Sequence, residues 1–278
     1  MVQSRLKENL ISHLQELIRE RDPYIASQGY YYARHYIQTQ LDRWGAATTM
    51  EFMEQGRKHY NLCLNLPGQT SQSPVVIGAH YDTVPGSPGA DDNATGVAVL
   101  LELARLFAAQ RPRRPVQLVA FDLEEYGLVG SRTYVNALQG KPIYLMLSLE
   151  MLGYCASDLP QTYPVAGMEY IYPKTADFIA LVGNWQTIPV MIQLSRGLSK
   201  TGVNCAWLPM INRGLSLPTT RRSDHAPFWD AGYDALMVTD TADLRNPHYH
   251  SQADTLDTLD VDFLTGVCTG LYQTIARL

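Results

Sequence analysis

Histidine and carboxylate side chains stand at the ends of apolar runs in this chain, and they come in an informative order. The run beginning at Val75 breaks off at His80 and Asp82, and a Gly/Pro loop then carries Asp91 and Asp92. A second run, Pro115 to Phe121, leads into Glu124 and Glu125; a third, from Ile143, arrives at Glu150; a late loop holds His250. Imidazole and carboxylate donors without thiolates suit an open, catalytic zinc site rather than a closed structural one. His80 and Asp82 are two apart, so on a strand they point to one side, where the carboxylate can orient the imidazole and set its tautomer. Glu150 lies within an apolar run, and a buried ionised carboxylate must be paired or bound to a cation. Taken singly, a strand-end histidine or an Asp-Asp pair in a glycine-rich turn is more often capping or turn chemistry than a ligand. The succession of such groups is what points to a site.

Such a site needs strands whose carboxyl ends converge, as they do in open α/β sheets. Val75, Val76 and Ile77 are β-branched and continuous, as expected of a strand covered on both faces. Strands are also predicted at Thr48 to Met53 and His59 to Leu66, joined by the turn EQGRK, at Pro115 to Phe121, from Ile143, and at Ala235 to Thr239. Helical spacing marks Leu6, Leu10, Leu14 and Leu17, then Ser27 to Trp44, Ala94 to Ala109, Thr175 to Trp185, Met191 to Ser199, and Val261 to Arg277. This alternation predicts one α/β domain over residues 1–278, a three-layer sandwich with a central mixed, mostly parallel sheet and helices on both faces. Residues 1–45 form N-terminal helices, and 154–210 read as an insertion that shapes a substrate pocket. Within it Gly197 to Asn204, GLSKTGVN, falls short of a phosphate-binding loop because Val203 stands where that motif needs Lys.

The chain has 278 residues, 46% hydrophobic and 18% charged, which allows a sizeable core. A formal charge of -5 argues against nucleic acid or an anionic membrane surface as partner. The opening residues have no apolar stretch of signal-peptide type, so the cytoplasm is the default location. Cys63, Cys155, Cys205 and Cys268 are widely separated and are expected to be free thiols.

The blocks GAHYDT, PGADDNATG, FDLEEYGLVGS and HYHSQADT resemble the signatures of the co-catalytic zinc aminopeptidases, family twenty-eight of the metallopeptidases. That resemblance implies two Zn²⁺ per chain, one held by His80 and Glu150, the other by Glu125 and His250, with Asp92 bridging them. It makes Glu124 the general base of a metal-bridged hydroxide that attacks the N-terminal peptide bond. Asp224 and His225 match a further block and are expected to support the ligands from behind, as Asp82 supports His80. Tyr249 matches a position where some relatives place a phenol that steadies the oxyanion; a packed loop aromatic is the alternative. Four positive charges on two ions would be balanced by Asp92, Glu125, Glu150 and the hydroxide. One departure stands out: the family has Asp at position 150, and this chain has Glu. The same fold also admits a glutaminyl-cyclase-like enzyme with a single zinc, and a binding homologue with none; the complete ligand set favours the peptidase with a peptide substrate.

Overall fold

The computed structural model describes residues 2–278. Helices α1 (Val2–Leu17) and α2 (Ser27–Asp42) precede a hairpin of β1 (Thr48–Glu54) and β2 (Arg57–Leu66). Its turn at Gln55 and Gly56 has positive φ at both residues, the conformation whose twist matches that of the flanking strands. Then follow β3 (Val75–His80), α3 (Gly96–Ala109), β4 (Val116–Phe121), α4 (Val129–Leu138) and β5 (Leu145–Glu150). After β6 (Ala156–Pro160) and β7 (Thr175–Ala176), a small separate pair, come β8 (Phe178–Asn184), α5 (Ile188–Ser199) and β9 (Asn204–Met210). The chain ends with α6 (His225–Asp230), β10 (Ala235–Thr239) and α7 (Val261–Ile275).

The large sheet has the order β1-β2-β4-β3-β5-β10-β8-β9. Its central strands β4, β3, β5 and β10 run parallel, each joined to its neighbour in that direction. Because side chains alternate along a strand, Val75 and Ile77 enter one core while Val76 enters the other. The first core packs α1, α2, α3, α5 and α7 on one face; the second packs Tyr134 of α4 and Phe228 and Trp229 of α6 on the opposite face. This is the expected three-layer α/β sandwich. Parallel strands put their carboxyl ends on one edge, so His80, Phe121, Glu150 and Thr239 end on the same side of the sheet.

One expectation fails. The segment Thr175 to Trp185, read as a helix, holds β7 and the strand β8, which pairs antiparallel to β10 and parallel to β9. Phe178, Ile179, Leu181 and Val182 are all buried, Ile179 and Leu181 in the first core and Val182 in the second, and a short continuous apolar run looks alike in a buried strand and a buried helix. Among the described residues, no helix is long and apolar enough to cross a membrane.

Candidate metal centre

His80 closes β3 and is almost fully buried. Its Nδ1 lies 3.2 Å from the Asp82 carbonyl oxygen, which commits that nitrogen to donating and turns Nε2 toward the cleft. There Nε2 lies 3.2 Å from Asp92 Oδ1 and 3.4 Å from Glu150 Oε1. The other oxygen of Asp92, Oδ2, lies 3.0 Å from His250 Nε2, and His250 Nε2 lies 3.3 Å from Glu125 Oε2. Asp92 therefore offers one oxygen to each of two trios, His80–Asp92–Glu150 and Asp92–Glu125–His250; in each trio the donor atoms lie within 4.8 Å of one another. A third trio joins His80, Glu124 and Glu125.

Backbone amides place these side chains. The two oxygens of Asp82 accept from Glu124 N and Glu125 N at 3.1 and 3.2 Å, so Asp82 clamps the turn after β4 besides facing His80. Asp254, which sequence reasoning left without a role, does the same on the other side, accepting from Asp91 N at 2.9 Å and Asp92 N at 3.1 Å. Asp91 turns away to Gly153 N and Asn246 Nδ2. Gly89 enters this loop with φ +63, and a Cβ there would stand 2.4 Å from the Asp92 carbonyl oxygen. Glu150 Oε2 accepts from Ser223 Oγ at 2.7 Å, and Ser223 in turn meets Ser148 Oγ at 2.8 Å. Both serines escaped the sequence reading because an isolated serine carries no spacing signal.

Arg21, in the connection between α1 and α2, was also missed. Its buried guanidinium donates to the carbonyls of Leu17, Arg19, Tyr81, Pro88 and Gly89, pinning the loop that follows His80. Burial lowers its pKa to about 10, opposed by Asp254, Asp92 and Asp82. It brings a permanent positive charge behind an acidic cluster.

The electrostatics suit a cation. Burial and Asp92 push Glu125 up to about 7, and its Oε1 has no hydrogen-bond partner. Burial, Glu150 and Glu125 raise Glu124 well above the carboxylate range, although His80 pulls the other way. Burial alone would lower His80, yet Glu150 and Glu124 raise it; the same contest, with Asp92 and Glu125, raises His250 to about 10. Carboxylates crowded this closely, with an oxygen left unpaired, are matched to positive charge, and the donor set of histidine and carboxylate suits zinc.

The remaining expected residues divide. Asp224 is fully buried with neither oxygen hydrogen-bonded, and burial raises it to about 7. His225 faces elsewhere: Nε2 lies 2.8 Å from the Thr220 carbonyl and its ring meets Trp229 edge-on, because α6 begins at that residue and carries the side chain toward the second core. Tyr249 stacks on His250 with ring centroids 3.7 Å apart. Beside Glu150 and Tyr249 opens an apolar pocket with Phe178, Ala180 and Val182 of β8, Trp207 and Leu208 of β9, and Tyr163, Met168 and Tyr172 from between β6 and β7.

The model of peptidase family M28 matches residues 61–181 and 208–273. The uncharacterized protein YfbL of Escherichia coli (strain K12) is 39% identical over 217 residues, 72% of this chain and 66% of that protein. Aminopeptidase YwaD of Bacillus subtilis (strain 168) is 30% identical over 190 residues, 66% of this chain and 36% of that protein. The match thus spans less than two thirds of both relatives. Among solved structures, the LapA aminopeptidase of Legionella pneumophila superposes with a TM-score of 0.74 at 18% identity, over 98% of this chain and 73% of that one. A glutaminyl cyclase of Bacteroides thetaiotaomicron gives 0.71 at 16% identity, over 99% and 98%. At these identities the two structures speak for the fold.

Proposed function

Because the chain belongs to peptidase family M28, we propose that it is a zinc-dependent aminopeptidase that removes N-terminal residues from peptides. The observation that carries this reading is the division of Asp92, one oxygen toward His80 and the other toward His250. His80, Asp92 and Glu150 would hold one ion, and Asp92, Glu125 and His250 a second. Zinc, when bound, supplies the Lewis acidity that makes water nucleophilic near neutral pH and stabilises charge on the substrate oxygen. Glu124 lies in the trio with His80 and Glu125 without belonging to either trio that shares Asp92. It takes the proton of the attacking water and passes it to the departing amine nitrogen as the C–N bond breaks. The Tyr249 phenol donates to the carbonyl oxygen on which charge develops. The apolar pocket receives the side chain of the N-terminal residue.

Relatives named aminopeptidases support the reaction class, and the paired trios favour two ions over the single zinc of a cyclase. A reducing, cytoplasmic location suits the free cysteines. The test is metal analysis of chelator-free protein combined with assays of leucine p-nitroanilide hydrolysis and of ring closure on glutaminyl peptides. About two zinc per chain with anilide hydrolysis is expected. One zinc with ring closure would make it a cyclase, and no metal a binding protein.

A further inference from the structure

Tyr249 is held from outside the cluster as well as from within. Arg222 lines the apolar pocket together with Tyr249 and Glu150, and its Nη2 donates to the Tyr249 hydroxyl oxygen at 3.0 Å. Its Nη1 donates to Asp243 Oδ1 at 2.9 Å. A guanidinium has donors and no acceptor, so it occupies a lone pair of the phenol and leaves the phenol hydrogen unused. Among the described residues, the hydroxyl makes no other hydrogen bond. The ring is fixed on its other side by His250, at an interplanar angle of 19°. With the ring clamped and one side of the oxygen taken, the hydrogen has one in-plane direction left, away from Arg222. The Arg222–Asp243 pair is about half exposed, with side-chain exposures of 45% and 44%. A pair so placed adds little to stability; what it adds is direction.

We propose that Arg222, steered by Asp243, is a positioning residue that aims the Tyr249 hydroxyl at the substrate carbonyl oxygen. The proposal rests on the aminopeptidase reading above. It makes no claim on Arg222 as a substrate contact, and this separates it from a pocket residue whose loss would weaken binding.

The experiment compares zinc-loaded wild type, Arg222→Gln, Tyr249→Phe and the double variant on leucine p-nitroanilide, with zinc content and melting temperature measured on each. Tyr249→Phe is expected to lower kcat by roughly 10²-fold, the usual worth of an oxyanion donor. Arg222→Gln loses about 10-fold in kcat with KM within about twofold, and loses nothing further in the Tyr249→Phe background. Asp243→Asn, at the end of the relay away from Tyr249, repeats the pattern at smaller amplitude and guards against a folding defect in Arg222→Gln. An unchanged kcat in Arg222→Gln, or the same tenfold loss with and without the phenol, overturns the relay while leaving the peptidase in place. A wild type with two zinc ions and no peptidase turnover overturns both, since the phenol then has no oxyanion to serve.

Discussion

On the side of β3, β4 and β5 the cleft is polar and nearly closed to solvent: Asp82, Asp92, Glu124 and Glu150 are all buried, backbone amides hold Asp82, a serine hydroxyl holds Glu150, and the Asp254 carboxylate holds the Asp91–Asp92 loop. On the side of β8 and β9 the wall is apolar, and the stretch that lends it Met168 and Tyr172 leaves Tyr170 84% and Ile171 80% exposed. The two halves answer different physical demands. A buried carboxylate that loses a partner is destabilised sharply, so the polar half must be over-determined, with supports behind each functional group. Apolar contact is non-directional, so the other half needs volume and little more, and it can be rebuilt by substitution without loss of the fold.

Substitutions should therefore separate cleanly across the divide. The largest effect belongs to Glu124→Gln, which keeps size and removes basicity: kcat should fall by about 10² to 10⁴-fold while zinc content and KM hold. Loss of zinc in that variant would move Glu124 into the ligand set and erase the distinction between holding metal and moving protons. Next, Asp82→Asn should cost about 10- to 100-fold in zinc affinity or turnover, because one change disturbs both His80 and the amides of Glu124 and Glu125. Titration with a competing chelator reads it, and unchanged affinity and turnover would mean that the clamp is redundant. Across the divide, Trp207→Ala or Met168→Ala should lower kcat/KM for leucine p-nitroanilide by only about 3- to 10-fold, with zinc content untouched. A fall as large as that of Asp82→Asn would contradict the contrast.

The smallest effect lies at the seam, where His225 ties α6 to the Thr220 carbonyl beside the pocket. Burial holds its pKa down to about 4, whereas an unfolded histidine titrates near about 6.5. Between those values the unfolded chain binds a proton that the folded chain refuses, so the stability tied to neutral His225 is full above about pH 6.5 and is lost as pH falls toward 4. Asp224, raised to about 7 by burial, titrates nearby with the opposite sign, so the comparison must be differential. The melting-temperature gap between wild type and His225→Gln should narrow by about 2 to 4 °C from pH 7 to pH 5. A gap independent of pH would show that the histidine is not held neutral.

The functional groups of the polar half could be read early; its supports and the apolar half could not. His80 and Glu150 were legible in the sequence because ionisable groups closing apolar runs are improbable unless they are paired, and parallel strands bring their ends to one edge, whereas Asp92, Glu124, Glu125 and His250 were singled out by the resemblance of their blocks to the family's signatures. The strand β8 was misread and β9 passed unnoticed, since both are defined by pairing with distant partners and their local pattern is ambiguous. Arg21, Ser223 and Asp254 were invisible for a related reason: each supports the site through hydrogen bonds to residues sixty or more positions away in the chain. Residue type and order by themselves determined the chemistry this protein can carry and the class of sheet that carries it. Only the tertiary structure decided which oxygen of Asp92 faces which histidine, that His225 turns from the cluster, and which residues line the pocket. Those depend on the packing of helices and strand ends against one another, and packing is a property of the assembled chain that no local stretch of sequence contains.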